Sequence, residues 1–134
     1  MAGACVVGGQ ESKLSTQVAN ISLGTQDVGP NRRFYVEFLE LEVREDDGKM
    51  LVLEGNLLID GGHPNPTTTW AHIMLLSDDL DALEKRAAEF GYACKKHQWG
   101  SLGFSDPDGR MVEVMRESAW RELQTKRGVK KPWP

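Results

Sequence analysis

Glu113 is the residue of this sequence whose surroundings most clearly suggest a chemical role. It lies between Val112 and Val114, in a run with the residue types of a β-strand. Because side chains alternate along a strand, Glu113 shares a face with Met111 and Met115 and is turned away from the valines. A carboxylate there either points to solvent or lies in a cavity where it is paired, protonated or bound to a metal ion. On the residues alone we favour the solvent-facing interpretation, because most strand carboxylates lie on the wet face.

A tight turn precedes the strand of Glu113. Residues 106–109 read Asp-Pro-Asp-Gly. Pro107 sets φ at the first corner, Asp108 suits the second, and Gly109 accepts positive φ at the exit. The sequence therefore predicts a β-hairpin with arms 102–105 and 110–115.

Composition restricts the class of protein. A chain of 134 residues with net charge −4 fits one domain, and it lacks the clustered basic residues that a nucleic-acid surface needs. Cys5 and Cys94 make no disulfide framework, which suits a reducing compartment. The first residues have neither a basic start nor an apolar run long enough to cross a membrane. We therefore expect a cytoplasmic protein without nucleic-acid or membrane partners.

Hydrophobic periodicity predicts a βαβββ order in the first half of the chain. Residues 1–17 read as a flexible arm. Asp27 followed by Pro30 indicates the start of a helix that ends near Glu40. The strands of this half are predicted at 18–25, 41–44, 49–53 and 56–60.

The same order returns after the linker at 61–66, which holds two glycines and two prolines. Ser77 or Asp78 is predicted to cap a helix over 79–90, and Gly91 is predicted to end it. The strands of this half are predicted at 70–76, 92–98, 102–105 and 110–115. A C-terminal helix from Ser118 to about Lys126 and a tail occupy 117–134.

An internal repeat relates the two halves. An offset of 52 residues places Ile21 on Ile73, and a further slip of two residues places Ile59 on Glu113. With the matching order of elements, these correspondences indicate two βαβββ modules, 18–60 and 70–116, in one domain.

Three motifs then make the chain similar to the vicinal oxygen chelate superfamily, which includes glyoxalase I, bleomycin-resistance proteins, fosfomycin-resistance enzymes and extradiol dioxygenases. They are ISLGTQD at 21–27 with RFY at 33–35, HIMLLSDDLDAL at 72–83, and FSDPDGRMVEV at 104–114 after the Trp99-Gly100 pair. The resemblance covers about 18 to 116, and it departs from the family where Glu40 replaces the usual glycine. It implies an α+β fold in which two βαβββ modules form an open, curved mixed β-sheet with helices on its outer face, in a homodimer.

The resemblance also implies where a metal ion would bind. The family takes ligands from the first and last strands of each module, and the matching positions here are Asn20, Ile59, His72 and Glu113. His72 and Glu113 are good ligands for a divalent metal, whereas Asn20 is a weak donor and Ile59 has none. Asp60 is beside Ile59 but should point to the opposite face. His63 and His97 lie outside the matched positions, and we expect them to be exposed.

Two principal hypotheses follow for function. The first is a metal-free protein that binds an aromatic or cationic small molecule in a cleft between the modules, with no cofactor. Its candidate ligand-binding residues are Asn20, His72, Trp70, Trp99, Met111 and Glu113. The alternative is a metal-dependent lyase or dioxygenase in which His72 and Glu113 hold a divalent metal and Glu113 is catalytic. A third hypothesis, a dimerisation module, depends on exposure of Trp120 and Trp133.

Overall fold

In the described residues, two four-stranded mixed β-sheets and three α-helices make up an α+β fold. The computed structural model describes residues 6–7, 10–11, 14–64, 71–98, 100–126 and 128. In the N-terminal segment it has two short antiparallel strands, β1 (Val6–Val7) and β2 (Gln10–Glu11). The α+β fold built from two βαβββ modules, predicted from sequence, is confirmed.

The first module begins with a strand and a helix. Strand β3 is Ile21–Gly24, and helix α1 is Val28–Arg32, continued by a π-helical segment, Arg33–Phe38. Asp27 caps α1 as predicted, since its carboxylate accepts a hydrogen bond of 2.9 Å from the Gly29 amide. Strands β4 (Val43–Asp46), β5 (Met50–Leu53) and β6 (Leu57–Asp60) follow, and the sheet order is β3-β6-β5-β4.

The second module repeats that order. Its elements are β7 (His72–Leu76), α2 (Leu80–Phe90), β8 (Lys95–Lys96), β9 (Leu102–Ser105) and β10 (Met111–Met115), with sheet order β7-β10-β9-β8. Asp79, rather than Ser77 or Asp78, caps α2 through a 2.9 Å bond from the Ala82 amide. Gly91 ends α2 at φ +81°, as predicted. Helix α3 (Glu117–Lys126) comes last.

One hydrophobic core serves both modules. It consists of the inward residues of both sheets and the apolar sides of the first helix and of α2, including Phe34, Phe38, Ile59, Phe104 and Val112. The Phe38 ring lies 5.3 Å from that of Phe104 and 4.9 Å from that of Tyr92, so an aromatic cluster crosses from one module to the other. Burial of these rings stabilises the joint between the modules.

A buried polar cluster lies at the same joint, and we call Asn31, Tyr35, Asp106, Asp108 and Arg110 the inter-module network. The fully buried Arg110 guanidinium contacts Asp106 at 2.6 Å and Asp108 at 2.9 Å, and it also donates to Asn31 at 3.0 Å. Burial opposes the charge on Arg110, but the adjacent Asp106 outweighs it and raises the pKa of the arginine. The predicted hairpin turn therefore also joins the two modules.

Candidate functional site

The face of the second sheet that is turned away from the core carries the candidate site. Val112 and Val114 pack in the core, so the alternate residues of β10 point to the opposite side. The parallel pairing of β10 with β7 aligns Met111 with His72 and Glu113 with Met74. We call this surface the site face and define it by His72, Met74, Met111, Glu113 and Met115.

Glu113 is buried on the site face and has partners there. Its exposed fraction is 4%, so the solvent-facing interpretation favoured from its neighbours alone is wrong. Oε1 lies 3.1 Å from Nε2 of His72, and Oε2 accepts a hydrogen bond from the hydroxyl of Ser101. A buried carboxylate requires such donors because burial without them costs several kcal/mol, roughly 2–7 for a polar group.

His72 connects the buried carboxylate with the surface. It begins β7, and 46% of its side chain is exposed, against 6% for the side chain of Glu113. The contact between His72 and Glu113 agrees with the shared site that the family resemblance implies for them. Their roles in binding a ligand or a metal stay predictions.

Two residues near Glu113 were not predicted to contribute. Ser101 was not considered, although the hairpin register pairs Glu113 with Gly103 and so puts Ser101 diagonally beside it. His97 was expected to be exposed, but it is half-buried. A Cβ atom on Gly103 would lie 2.6 Å from Nε2 of His97, so the imidazole covers the glycine that pairs with Glu113.

The other predicted site residues are placed differently. Met111 is on the site face and is 51% exposed. Asn20 is exposed before β3, where its amide donates to Ser22 Oγ at 2.8 Å and is not joined to His72 or Glu113. Trp70 and Trp99 lie outside the described residues, as does Trp133. Trp120 is half-buried rather than exposed.

The first module has no equivalent of the contact between His72 and Glu113. Ile59 was matched to Glu113, but it is fully buried in the core. Leu23 of β3 pairs with Ile59 of β6, and its equivalent in the second module, Leu75 of β7, pairs with Val114 of β10. The position equivalent to Glu113 is therefore Leu58, because a shift of one residue moves a side chain to the other face.

The hairpin loops of the two modules differ in length. Leu53 pairs with Leu57 in the first module, so the connecting loop is 54–56. In the second module Ser105 pairs with Met111, and the loop is 106–110. This difference of two residues is the slip that the sequence alignment already includes, so the one-residue error appears only in the pairing of β3 with β6 and of β7 with β10.

His63, by contrast, contacts a carboxylate of the first module. Its Nε2 lies 2.9 Å from Oδ2 of Asp60, and it is exposed, as expected. Asp60 and Ile59 point to opposite faces, as predicted, but it is Ile59 that faces the core.

The donor set does not fit a metal ion. Leu58 has no donor atom, and Asn20 is directed to Ser22. Within the described ranges, no group of three or more His, Cys, Asp or Glu side chains could hold a metal ion. A protein metal site ordinarily needs at least three such ligands.

An apolar cleft of about 650 Å³ lies between β3 and β7. Both strands border it, and each has one strand neighbour in the described part of the chain. His72 is in its wall, together with aliphatic residues that include Ile21, Leu23, Leu57, Ile73 and Leu75. Glu54 is the second polar side chain in the wall. An apolar cleft with a few polar groups in its wall is typical of a small-molecule site.

Comparisons with known proteins support this fold. No protein-family model matches the sequence, and no curated protein matches it. Among solved structures, the antibiotic binding protein TnmS3 from Streptomyces sp. CB03234 is 25% identical with a TM-score of 0.62, over 78% of this chain and 98% of that one. A glyoxalase/bleomycin resistance protein from the same organism is 27% identical with a TM-score of 0.56, over 71% of this chain and 96% of that one.

A third similar structure was determined with a metal ion. It is the fosfomycin resistance protein FosX from Listeria monocytogenes, complexed with Mn(II) and sulfate, at 18% identity and a TM-score of 0.61, over 82% of this chain and 99% of that one. All three are vicinal oxygen chelate proteins, so the resemblance identified from the motifs is confirmed in the fold. No helix of the described segments is long and apolar enough to span a membrane.

Proposed function

We propose that this chain, whose fold is that of the vicinal oxygen chelate superfamily, binds an aromatic or cationic small molecule without a metal ion. The cleft between β3 and β7 is the proposed site, and its apolar wall containing His72 is the observation that carries the proposal. The volume of about 650 Å³ is within the range of ligand sites in proteins.

Two further observations support the proposal. The net charge of −4 favours cationic over anionic guests electrostatically. One similar structure is described as an antibiotic binding protein and another as a glyoxalase/bleomycin resistance protein.

The alternative is a metal-dependent lyase or dioxygenase, and the Mn(II) complex of FosX is the observation that favours it. His72 and Glu113 would be two of its ligands. The described residues do not supply the remaining donors, and Glu113 already accepts a hydrogen bond from Ser101. The metal-free hypothesis therefore fits this chain better.

A thermal-shift screen tests the proposal. Aromatic and cationic compounds are added with EDTA or with Mn²⁺, Zn²⁺ or Ni²⁺, because a compound that binds the native state raises the midpoint. We expect binders whose shift is the same in EDTA as with metal. Shifts that require a metal would favour the enzyme alternative, and a screen without any binder would contradict the proposal.

Two variants locate the site. Ile21 is 61% exposed in the wall of the cleft, so Ile21→Arg should fill the cleft and repel a cation without loss of fold. The matched control is Val43→Arg, since Val43 is an exposed aliphatic residue of β4 in the same sheet and is outside the cleft wall. Equal loss of binding in both variants would place the ligand elsewhere.

A further inference from the structure

An ionised Glu113 would determine which nitrogen of a neutral His72 carries a hydrogen atom. An ionised carboxylate only accepts hydrogen bonds, and Oε2 already accepts one from Ser101. The contact of 3.1 Å between Oε1 and Nε2 of His72 then requires a hydrogen on Nε2. A neutral imidazole has a single N–H, so Nδ1 presents a lone pair and is an acceptor.

The ring of His72 is partly accessible. Nε2 is held against a carboxylate whose side chain is only 6% exposed, whereas 46% of the His72 side chain is exposed. The two ring nitrogens point in different directions, and His72 contributes to the wall of the cleft between β3 and β7. Nδ1 is thereby the one strong acceptor that this side chain offers to a molecule in the cleft.

We infer that His72 Nδ1 accepts a hydrogen bond from a hydroxyl group of the ligand, and that the ligand is a planar aromatic compound with a phenolic hydroxyl. This inference rests on the proposed function and names the class of compound. A phenol matches the cleft because its ring packs on the aliphatic wall while its one polar group finds a partner. Glu113 acts as a positioning residue, since it acts through His72.

A matched pair of compounds tests the inference. 2-Naphthol and 2-methoxynaphthalene share the same fused ring, but only the naphthol has a hydrogen to donate. We expect titration calorimetry to give a dissociation constant about tenfold lower for 2-naphthol, the effect of one good hydrogen bond. In His72→Phe the naphthol should lose this preference and bind about as well as the ether.

His63→Phe is the control variant. His63 also contacts a carboxylate, Asp60, at 2.9 Å, but it is not in the wall of the cleft. The preference for naphthol should therefore persist in His63→Phe. Its loss in both variants would contradict the assignment to His72.

The position of the hydrogen can be measured without any ligand. Nitrogen-15 NMR of the wild-type protein at about pH 8, above the usual pKa of histidine, distinguishes the two tautomers. We expect His72 to carry its hydrogen on Nε2, and Ser101→Ala should keep that tautomer because His72 remains bound to Glu113. A hydrogen on Nδ1 in the wild-type protein would overturn the inference.

The outcomes separate this inference from the proposed function. If the wild-type protein binds the ether as tightly as the naphthol, the inference is wrong and the proposed cleft stands. If neither compound binds and the wider screen finds no binder, both are wrong. A preference for the naphthol that survives in His72→Phe would also refute the inference.

Discussion

The hydroxyl of Tyr35 in the first module donates a 2.5 Å hydrogen bond to Oδ2 of Asp106 in the second. Both residues are buried, and the same carboxylate oxygen contacts Arg110 at 2.6 Å. The bond therefore belongs to the inter-module network, in which buried polar groups of the two modules satisfy one another. Removing one partner leaves a buried group without its hydrogen bond, which costs more than the bond itself contributes.

Replacement of Arg110 should be strongly destabilising. Arg110→Met leaves Asp106 buried beside an apolar side chain, and we expect the free energy of unfolding to fall by about 3–5 kcal/mol. The matched control is Arg32→Met, because Arg32 pairs with Asp46 at 2.7 Å on the surface and should lose about 1 kcal/mol or less. Urea denaturation followed by circular dichroism measures both, and equal losses would contradict a special role for the network.

Stability should fall at alkaline pH because of Tyr35. Burial raises the pKa of Tyr35, and the adjacent Asp106 raises it further. Above about pH 10 the unfolded chain releases this proton while the folded protein keeps it, so the free energy of unfolding falls by up to about 1.4 kcal/mol per pH unit. Below about pH 10 the stabilisation that the protonated Tyr35 provides is fully present.

Tyr35→Phe is the reference for that measurement. It should cost about 1–3 kcal/mol at neutral pH, because Asp106 loses a donor. The variant should also lack the loss of stability that ionisation of Tyr35 causes at alkaline pH. The difference in free energy of unfolding between wild type and variant therefore shrinks above about pH 10. Parallel stability curves for the two proteins would contradict the expectation.

The end of the first helix has a strained residue. Glu40 has φ +58°, where the family resemblance expects glycine. Glu40→Gly should stabilise the protein by up to about 1 kcal/mol, since glycine adopts this conformation without a steric cost. Glu40→Ala is the control, because it also removes the exposed contact of 3.6 Å with Arg86 but keeps the Cβ atom. A gain in both variants would show that the charge, rather than φ, is responsible.

Gly103 is predicted to be intolerant of a side chain. A Cβ atom there would meet Nε2 of His97 at 2.6 Å, so Gly103→Ala should cost about 1–3 kcal/mol. Adding His97→Ala removes the obstructing ring. In the background of His97→Ala, the Gly103→Ala change should therefore cost much less stability than it costs in the wild-type protein. A double-mutant cycle measures this difference. Strictly additive effects would mean that the two residues do not interfere.

The chain should form a homodimer. β4 and β8 have one strand neighbour each among the described strands, and neither contributes to the wall of the cleft. An open sheet edge is a template for pairing with a second copy of the chain, as the family resemblance implies. Light scattering at micromolar concentration should give twice the mass of one chain, and a monomer mass would contradict the prediction.

Local signals in the sequence predicted most of the fold. Asp27 and Gly91 mark the helix ends through the chemistry of their own side chain or backbone, and the repeat indicates two modules. The placement of His72 beside Glu113 was implied by the family resemblance. Each of these inferences depends on residues in one short segment or on the order of segments.

The parts that were missed depend on long-range register and contacts. Ile59 was matched to Glu113 by aligning the turns that precede them, whereas the register depends on the pairing of β3 with β6 and of β7 with β10. Arg110 reads as an ordinary strand residue, yet it donates to Asn31 and to the Gly24 carbonyl, 79 and 86 positions earlier. Such partners are determined by how the modules pack, and the sequence alone does not specify that packing.

The longer hairpin loop of the second module makes the two halves of this chain unequal at their joint. Asp106, Asp108 and Arg110 occur in loop 106–110, and the shorter loop 54–56 has no position for them. A chain made from two copies of the first module would therefore join without the buried ions, and one made from two copies of the second would lack Asn31 and Tyr35. The two halves are thus complementary at this joint and not interchangeable.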